Sequence, residues 1–161
     1  MEERNYDTQR DYTTILEDQI KEGLTAIRRP VSGQFLSAFS CGLDLGIGVF
    51  MLFAVHSAIA GVYDSPTMEF ITASAYTFGF IFVILGRLEL FTEHTTLAVL
   101  PVLSDRATVS ELASLWAVVY VANILGGILF APVAVFAGTE LGVIDVSSFI
   151  TIAATFVELS P

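Results

Sequence analysis

The 161-residue sequence is 54% hydrophobic and 15% charged, with a mean hydropathy of +0.72 and a formal net charge of −10. A soluble domain carries about one-quarter charged residues, so this composition excludes an ordinary water-soluble fold and predicts an all-α integral membrane protein. The acidity argues against nucleic acid as a partner, and the single Cys41 excludes an intrachain disulfide and a cysteine-based metal cluster.

Residues 1–30 read as a cytoplasmic N-terminal segment. It holds seven of the 17 acids, all before Gly23, and lacks the continuous apolar core of a cleavable signal peptide. Met1 to Asp11 is polar and expected to be disordered. From Tyr12 to Arg29, apolar Ile15, Leu16, Ile20, Leu24 and Ile27 recur at roughly helical spacing, with Glu17, Asp18, Lys21, Glu22, Arg28 and Arg29 between them. The pattern predicts an amphipathic helix lying on the membrane or against its own bundle; a solvated helix is the plainer alternative.

Three transmembrane spans follow within residues 31–137. The first, about 34–60, carries small residues (Ser37, Ala38, Gly42, Gly46, Gly48) that allow close helix approach. Asp44 falls well inside it, where a carboxylate must face the bundle interior or water. Its role is either proton or ion handling or a structural hydrogen bond. His56 lies roughly 18 Å further along the axis and about 120° around it, so the two form no dyad; an interfacial position suits His56.

After a turn at Gly61–Thr67 comes the element at 68–103, which is expected to be broken at 86–94. Two apolar runs, Phe70–Leu85 and Leu97–Leu103, are each short of the roughly 20 residues of a comfortable crossing. Between them lie Arg87, Glu89, Glu93, His94 and three threonines. Polar, irregular backbone at membrane depth is tolerated only where protein buries it or it lines a wet cavity, and broken helices of this kind are where transporters hold their substrates. Pro101 is awkward in a helix interior.

A polar loop at Ser104–Ser110 leads to the third span, about 111–137. Trp116 and Tyr120 are expected near an interface, and Gly126-Gly127 suits close packing. The faces carrying Gly42, Gly46, Asn123 and Gly126 are expected to lack a partner within the chain. Residues 138–161 read as an external segment with an amphipathic helix over Asp145–Leu159, too short to span, and the chain is expected to stop before a fourth span. Arg4, Arg10, Lys21, Arg28 and Arg29 precede the first span and Arg106 follows the second, while the opposite loops hold no Lys or Arg. The positive-inside rule then puts the N-terminus in the cytoplasm, in a multi-pass protein of the plasma membrane.

Glu89-Leu90-Phe91-Thr92 with Glu93-His94-Thr95-Thr96, and Tyr120-Val-Ala-Asn123-Ile-Leu-Gly126, resemble the signatures of the formate/nitrite transporter family. The resemblance runs from about Leu24 to Pro161. It implies an aquaporin-like fold of two inverted three-helix repeats, of which this chain holds the first, assembled as a pentamer with a pore in each protomer. It also implies transport of small monovalent anions such as formate or nitrite. Leu90, Phe91 and Thr92 match the constriction, Tyr76 and Phe80 match bulky pore-lining positions, Glu89 matches the acidic loop residue and Asn123 the span-three asparagine.

Arg87 departs from the small residue usual before the acidic position, and Glu93-His94 from a small-polar pair. Arg87 is expected either to pair with Glu89 or to act as an extra cation drawing anions inward. His94 does not match the family's central histidine, which belongs to the second repeat. The resemblance calls for no cofactor. An enzyme is not expected, because neither Gly-x-Ser-x-Gly nor His-Glu-x-x-His occurs. Against the transporter stands one alternative, a non-transporting fragment that assembles with or modifies a full-length relative.

Overall fold

The computed structural model describes residues 11–158, so the disorder expected over 1–11 falls almost wholly outside the described residues. These form eight helices and no strand: α1 Tyr12–Arg28, α2 Val31–Ile59, α3 Ser65–Ala75, α4 Thr77–Gly86, α5 Phe91–Leu97, α6 Val99–Leu103, α7 Val109–Glu140 and α8 Val146–Glu158. By length and composition, α2, the α3–α4 pair (Ser65–Gly86) and α7 can each cross a membrane. The run before the break is thus longer than the apolar stretch counted from Phe70. Its helix begins at Ser65, with Pro66 in the first turn, where a missing N–H costs nothing.

α1 buries Ile20, Gly23, Ala26 and Ile27 and packs against α5, α6 and α7, so of the two placements its periodicity allowed it takes the one against its own bundle. Burying an isoleucine contributes about 1.5–3 kcal/mol relative to water. Pro30 prevents α1 from running straight into α2. At the end of α1 the carbonyls of Ala26, which also accepts from the Arg29 N–H, and Ile27 accept hydrogen bonds from Gln34 Nε2 (2.9 and 3.3 Å), which accounts for a buried glutamine in an apolar helix.

α2 is the centre of the bundle and packs most extensively on α7, then on α4 and α3. The contacts run through glycines. A Cβ on Gly42 would stand 2.2 Å from the Asn123 carbonyl oxygen, and one on Gly126 would stand 2.3 Å from that of Phe39. Gly48 and Gly79 meet in the same way between α2 and α4, while Gly46 seats the Phe130 ring. The expectation that these faces lack a partner is therefore corrected: the small residues of α2 meet matching ones on α7 and α4. Where side chains vanish, backbones approach and gain dispersion contacts along their length.

α7 starts with a capping box, in which Thr108 Oγ1 accepts from Glu111 N–H (3.2 Å) and Glu111 Oε2 accepts from Thr108 N–H (2.8 Å). It contains Pro132 without ending. α5 and α6 are divided at Ala98, three residues before the fully buried Pro101. Proline has no N–H for the Leu97 carbonyl, so the helix resets there. At the other end of the bundle, Asp145 N–H donates to Ser57 Oγ (2.8 Å), His56 Nδ1 lies 3.2 Å from Ser148 Oγ and Phe53 packs on Phe149. These contacts fasten the start of α8 to the end of α2 and give His56 a side-chain partner.

Candidate functional site

The broken element is the feature that simple membrane packing does not require. α4 ends at Gly86 because Arg87 takes a left-handed conformation (φ 48°), with its N–H and that of Leu88 closing on the carbonyls of Ile84 and Val83. Residues outside glycine adopt this conformation at a cost of roughly 1 kcal/mol or more. The irregular stretch covers residues 87–90 only, not 86–94. Phe91 to His94 are already helical, because the Phe91 N–H at the start of α5 is held by Asn123 Oδ1 (2.9 Å). That cap comes from α7 and is invisible in the local sequence.

Asn123 uses both of its N–H donors and its oxygen. Besides holding Phe91, its Nδ2 donates to the carbonyls of Ala38 (2.7 Å) and Glu89 (3.1 Å), so one amide joins α2, α7 and the break. Asn123 lies close to the midpoint of α7. The break is therefore fixed at the middle of that helix, where an unsatisfied backbone group in hydrocarbon would cost several kcal/mol.

Glu89 is 4% exposed. Its N–H donates to Ser37 Oγ (3.2 Å), and its Oε1 accepts from Arg29 Nη1 at 3.2 Å. The expected Arg87–Glu89 pair is thus corrected to Arg29–Glu89. The left-handed turn at Arg87 redirects the chain so that the carboxylate meets the end of α1, while Arg87 stays exposed. Glu89 Oε2 is buried with no hydrogen-bond partner among the described residues. His94, also buried, uses Nδ1 toward the Leu90 carbonyl at 3.1 Å; a carbonyl only accepts, so Nδ1 carries the proton. The His94 carbonyl in turn accepts from Trp116 Nε1 (3.2 Å), which gives the indole a partner inside the bundle.

A cleft of about 1040 Å³ opens between α1, the end of α4 and the break. Of the residues singled out from sequence, Arg87, Glu89, Glu93 and His94 line it, joined by Lys21, Glu22 and Arg28 from α1 and by Arg29 just after it. Leu90, Phe91, Thr92, Tyr76 and Phe80 are not among its walls. Phe91 packs on Tyr120 (ring centres 5.1 Å apart), Thr92 is exposed, Leu90 is half-buried, and Tyr76 meets Phe80 edge-on at 5.2 Å. Asp44, near the middle of α2, is half-buried, and its carboxylate has no hydrogen-bond partner among the described residues. Among the described residues no group of three or more His, Cys, Asp or Glu could hold a metal ion.

Arg29 and Ser37 are the members of the site that sequence reasoning missed. The available signal was the Arg28-Arg29 doublet directly before Pro30, a pair of cations set at a fixed bend rather than on a free surface.

A family model described as formate/nitrite transporter matches residues 13–161. The inner membrane protein YfdC of Escherichia coli is 37% identical over 108 residues, covering 66% of this chain and 34% of that protein. The uncharacterized transporter YrhG of Bacillus subtilis is 25% identical over 136 residues, covering 84% of this chain and 50% of its own length. The formate channel FocA of Haemophilus influenzae is 29% identical over 107 residues, covering 66% and 37%. The chain thus spans between a third and a half of the curated relatives that it matches.

Proposed function

On the premise that this chain belongs to the formate/nitrite transporter family, we propose that it forms one side of a transmembrane pathway for small monovalent anions such as formate or nitrite. In this reading it is the first of two inverted repeats of an aquaporin-like fold, with the partner repeat closing the pathway. The assembly is a pentamer in the plasma membrane, and the N-terminus is cytoplasmic. Tyr76, Phe80, Leu90 and Thr92 face the partner repeat and narrow the pathway, and Phe91 backs the constriction against α7.

The observation that carries the proposal is the break held at the level of Asn123. A chain that merely packed in lipid gains nothing from interrupting a helix at the midpoint of its neighbour. It would face the full cost of unsatisfied polar backbone there. Here that cost is met by Asn123 and Ser37, and Arg29 pairs with the Glu89 carboxylate beside them. Such an arrangement suits a site that needs backbone and polar side chains at membrane depth.

The test is flux of formate and of nitrite into liposomes, for the 161-residue chain and for the chain joined to a matching second repeat. The joined protein is expected to carry saturable flux and the single chain none. Saturable flux through the single chain would sink the half-pathway reading. Absence of flux in both would sink transport itself and leave a fragment that assembles with a full-length relative.

A further inference from the structure

The cleft beside the break reverses the electrostatic sign of the chain. The sequence holds 17 acids and 7 basic residues, yet Lys21, Arg28, Arg29 and Arg87 line the cleft against Glu22, Glu89 and Glu93. Two of the cations are committed: Arg29 to Glu89 at 3.2 Å and Lys21 to Asp18 at 3.9 Å. Arg87 makes no ion pair among the described residues, and Arg28 makes none either but feels the Glu111 carboxylate at the start of α7. Because Arg29 already pairs with Glu89, the one buried acid of the cleft does not compete with an incoming anion for Arg87.

Arg87 also stands where the backbone favours glycine. Its φ of 48° carries a conformational cost that Gly86, one residue earlier and helical, does not bear. A side chain kept at such a position points to a use for the side chain itself. A guanidinium presents its donors as a flat fork that matches two oxygens of one planar anion, whereas an ammonium acts as a point charge.

We propose that Arg87 is the binding residue of a capture site in this cleft for planar monovalent anions with two oxygens, a carboxylate or nitrite, with Arg28 adding long-range attraction. The site rests on the transport reading and adds selectivity to it. It favours two-oxygen anions over spherical ones such as chloride at the mouth of the break, before they reach the constriction.

Formate and chloride are titrated separately, at matched ionic strength, into the chain held in lipid nanodiscs. The native chain is expected to bind formate about tenfold more tightly than chloride, the range of one charge-assisted hydrogen bond. Arg87→Lys keeps the charge and loses the fork, so both anions should bind equally. Arg87→Gly relieves the backbone, keeps the fold and should lose about tenfold in formate affinity. Native formate binding in Arg87→Gly, undiminished preference in Arg87→Lys, or no preference in the native chain would each overturn the site. Flux through the joined two-repeat protein separates the two proposals. Flux without this binding refutes the capture site and leaves transport standing, while binding without flux does the reverse.

Discussion

The glycine crossing of α2 with α7 and the break between α4 and α5 adjoin at Asn123, yet they are held by opposite chemistry. At the crossing, order comes from missing side chains, with Gly42 and Gly126 bringing two backbones into contact. At the break, order comes from side chains: Asn123 and Ser37 occupy backbone groups that a continuous helix would have satisfied by itself, and Arg29 pairs with the Glu89 carboxylate buried there. The first region tolerates no added atom, and the second tolerates no removed one.

The largest expected effect tests the first half of that contrast with neighbouring residues. A Cβ at Gly126 meets the Phe39 carbonyl at 2.3 Å and the Gly42 Cα at 2.9 Å, both backbone atoms that cannot rotate away, whereas one at Gly127 meets nothing within 4 Å. Gly126→Ala should destabilise the fold by about 3 kcal/mol, at the upper end of overpacking in a core. Gly127→Ala should be neutral or gain up to about 1 kcal/mol of helix preference. Unfolding of both variants by SDS in detergent micelles checks this. Equal behaviour would mean that α2 and α7 do not cross here.

Removal from the second region comes next. Asn123→Ala leaves the Phe91 N–H and the Glu89 carbonyl without their partner and takes from the Ala38 carbonyl, which lies within α2, only a second hydrogen bond. An orphaned buried group costs about 1–3 kcal/mol, and carbonyls tolerate it better than N–H groups, so a total of about 2 kcal/mol is expected. The loss should be local, with the amides of residues 88–94 exchanging hydrogen faster while those of α2 around Gly42 keep their protection. Uniform loss of protection would show that crossing and break are one unit.

The same contrast explains what could be read from sequence. Three apolar helices were legible from hydropathy, and the existence of a break was legible because Arg87, Glu89, Glu93 and His94 interrupt an apolar run. Its limits were not, since the cap that starts α5 lies 32 residues away on Asn123. Nor was the fit of Gly42 to Gly126 and of Gly48 to Gly79, because composition records small faces without saying which of them meet. The partner of Glu89 was sought at Arg87, two residues away, and found at Arg29, sixty residues away. Proximity in sequence fails across a left-handed turn, where the chain changes direction within a residue.

The smallest predicted effect turns on that last pair and on what joins α1 to the break. Arg29 is half exposed and Glu89 nearly buried (side-chain exposures of 46% and 5%), so the ion pair is screened on one side only. Replacing Glu89 by Gln removes the charge but keeps an acceptor for Arg29, and Arg29→Gln leaves the carboxylate to a neutral partner. A double-mutant cycle over the two should give a coupling of about 1 kcal/mol, above exposed ion pairs and below fully buried ones. A parallel cycle between Glu89→Gln and Arg87→Gln should give none, since Arg87 makes no ion pair with Glu89. Coupling of equal size in both cycles would mean that Glu89 senses the net charge of the cleft rather than one guanidinium. The bond between α1 and the break would then be a field effect, and α1 could be detached without loosening Glu89. Coupling confined to Arg29 would make the end of α1 a structural part of the break.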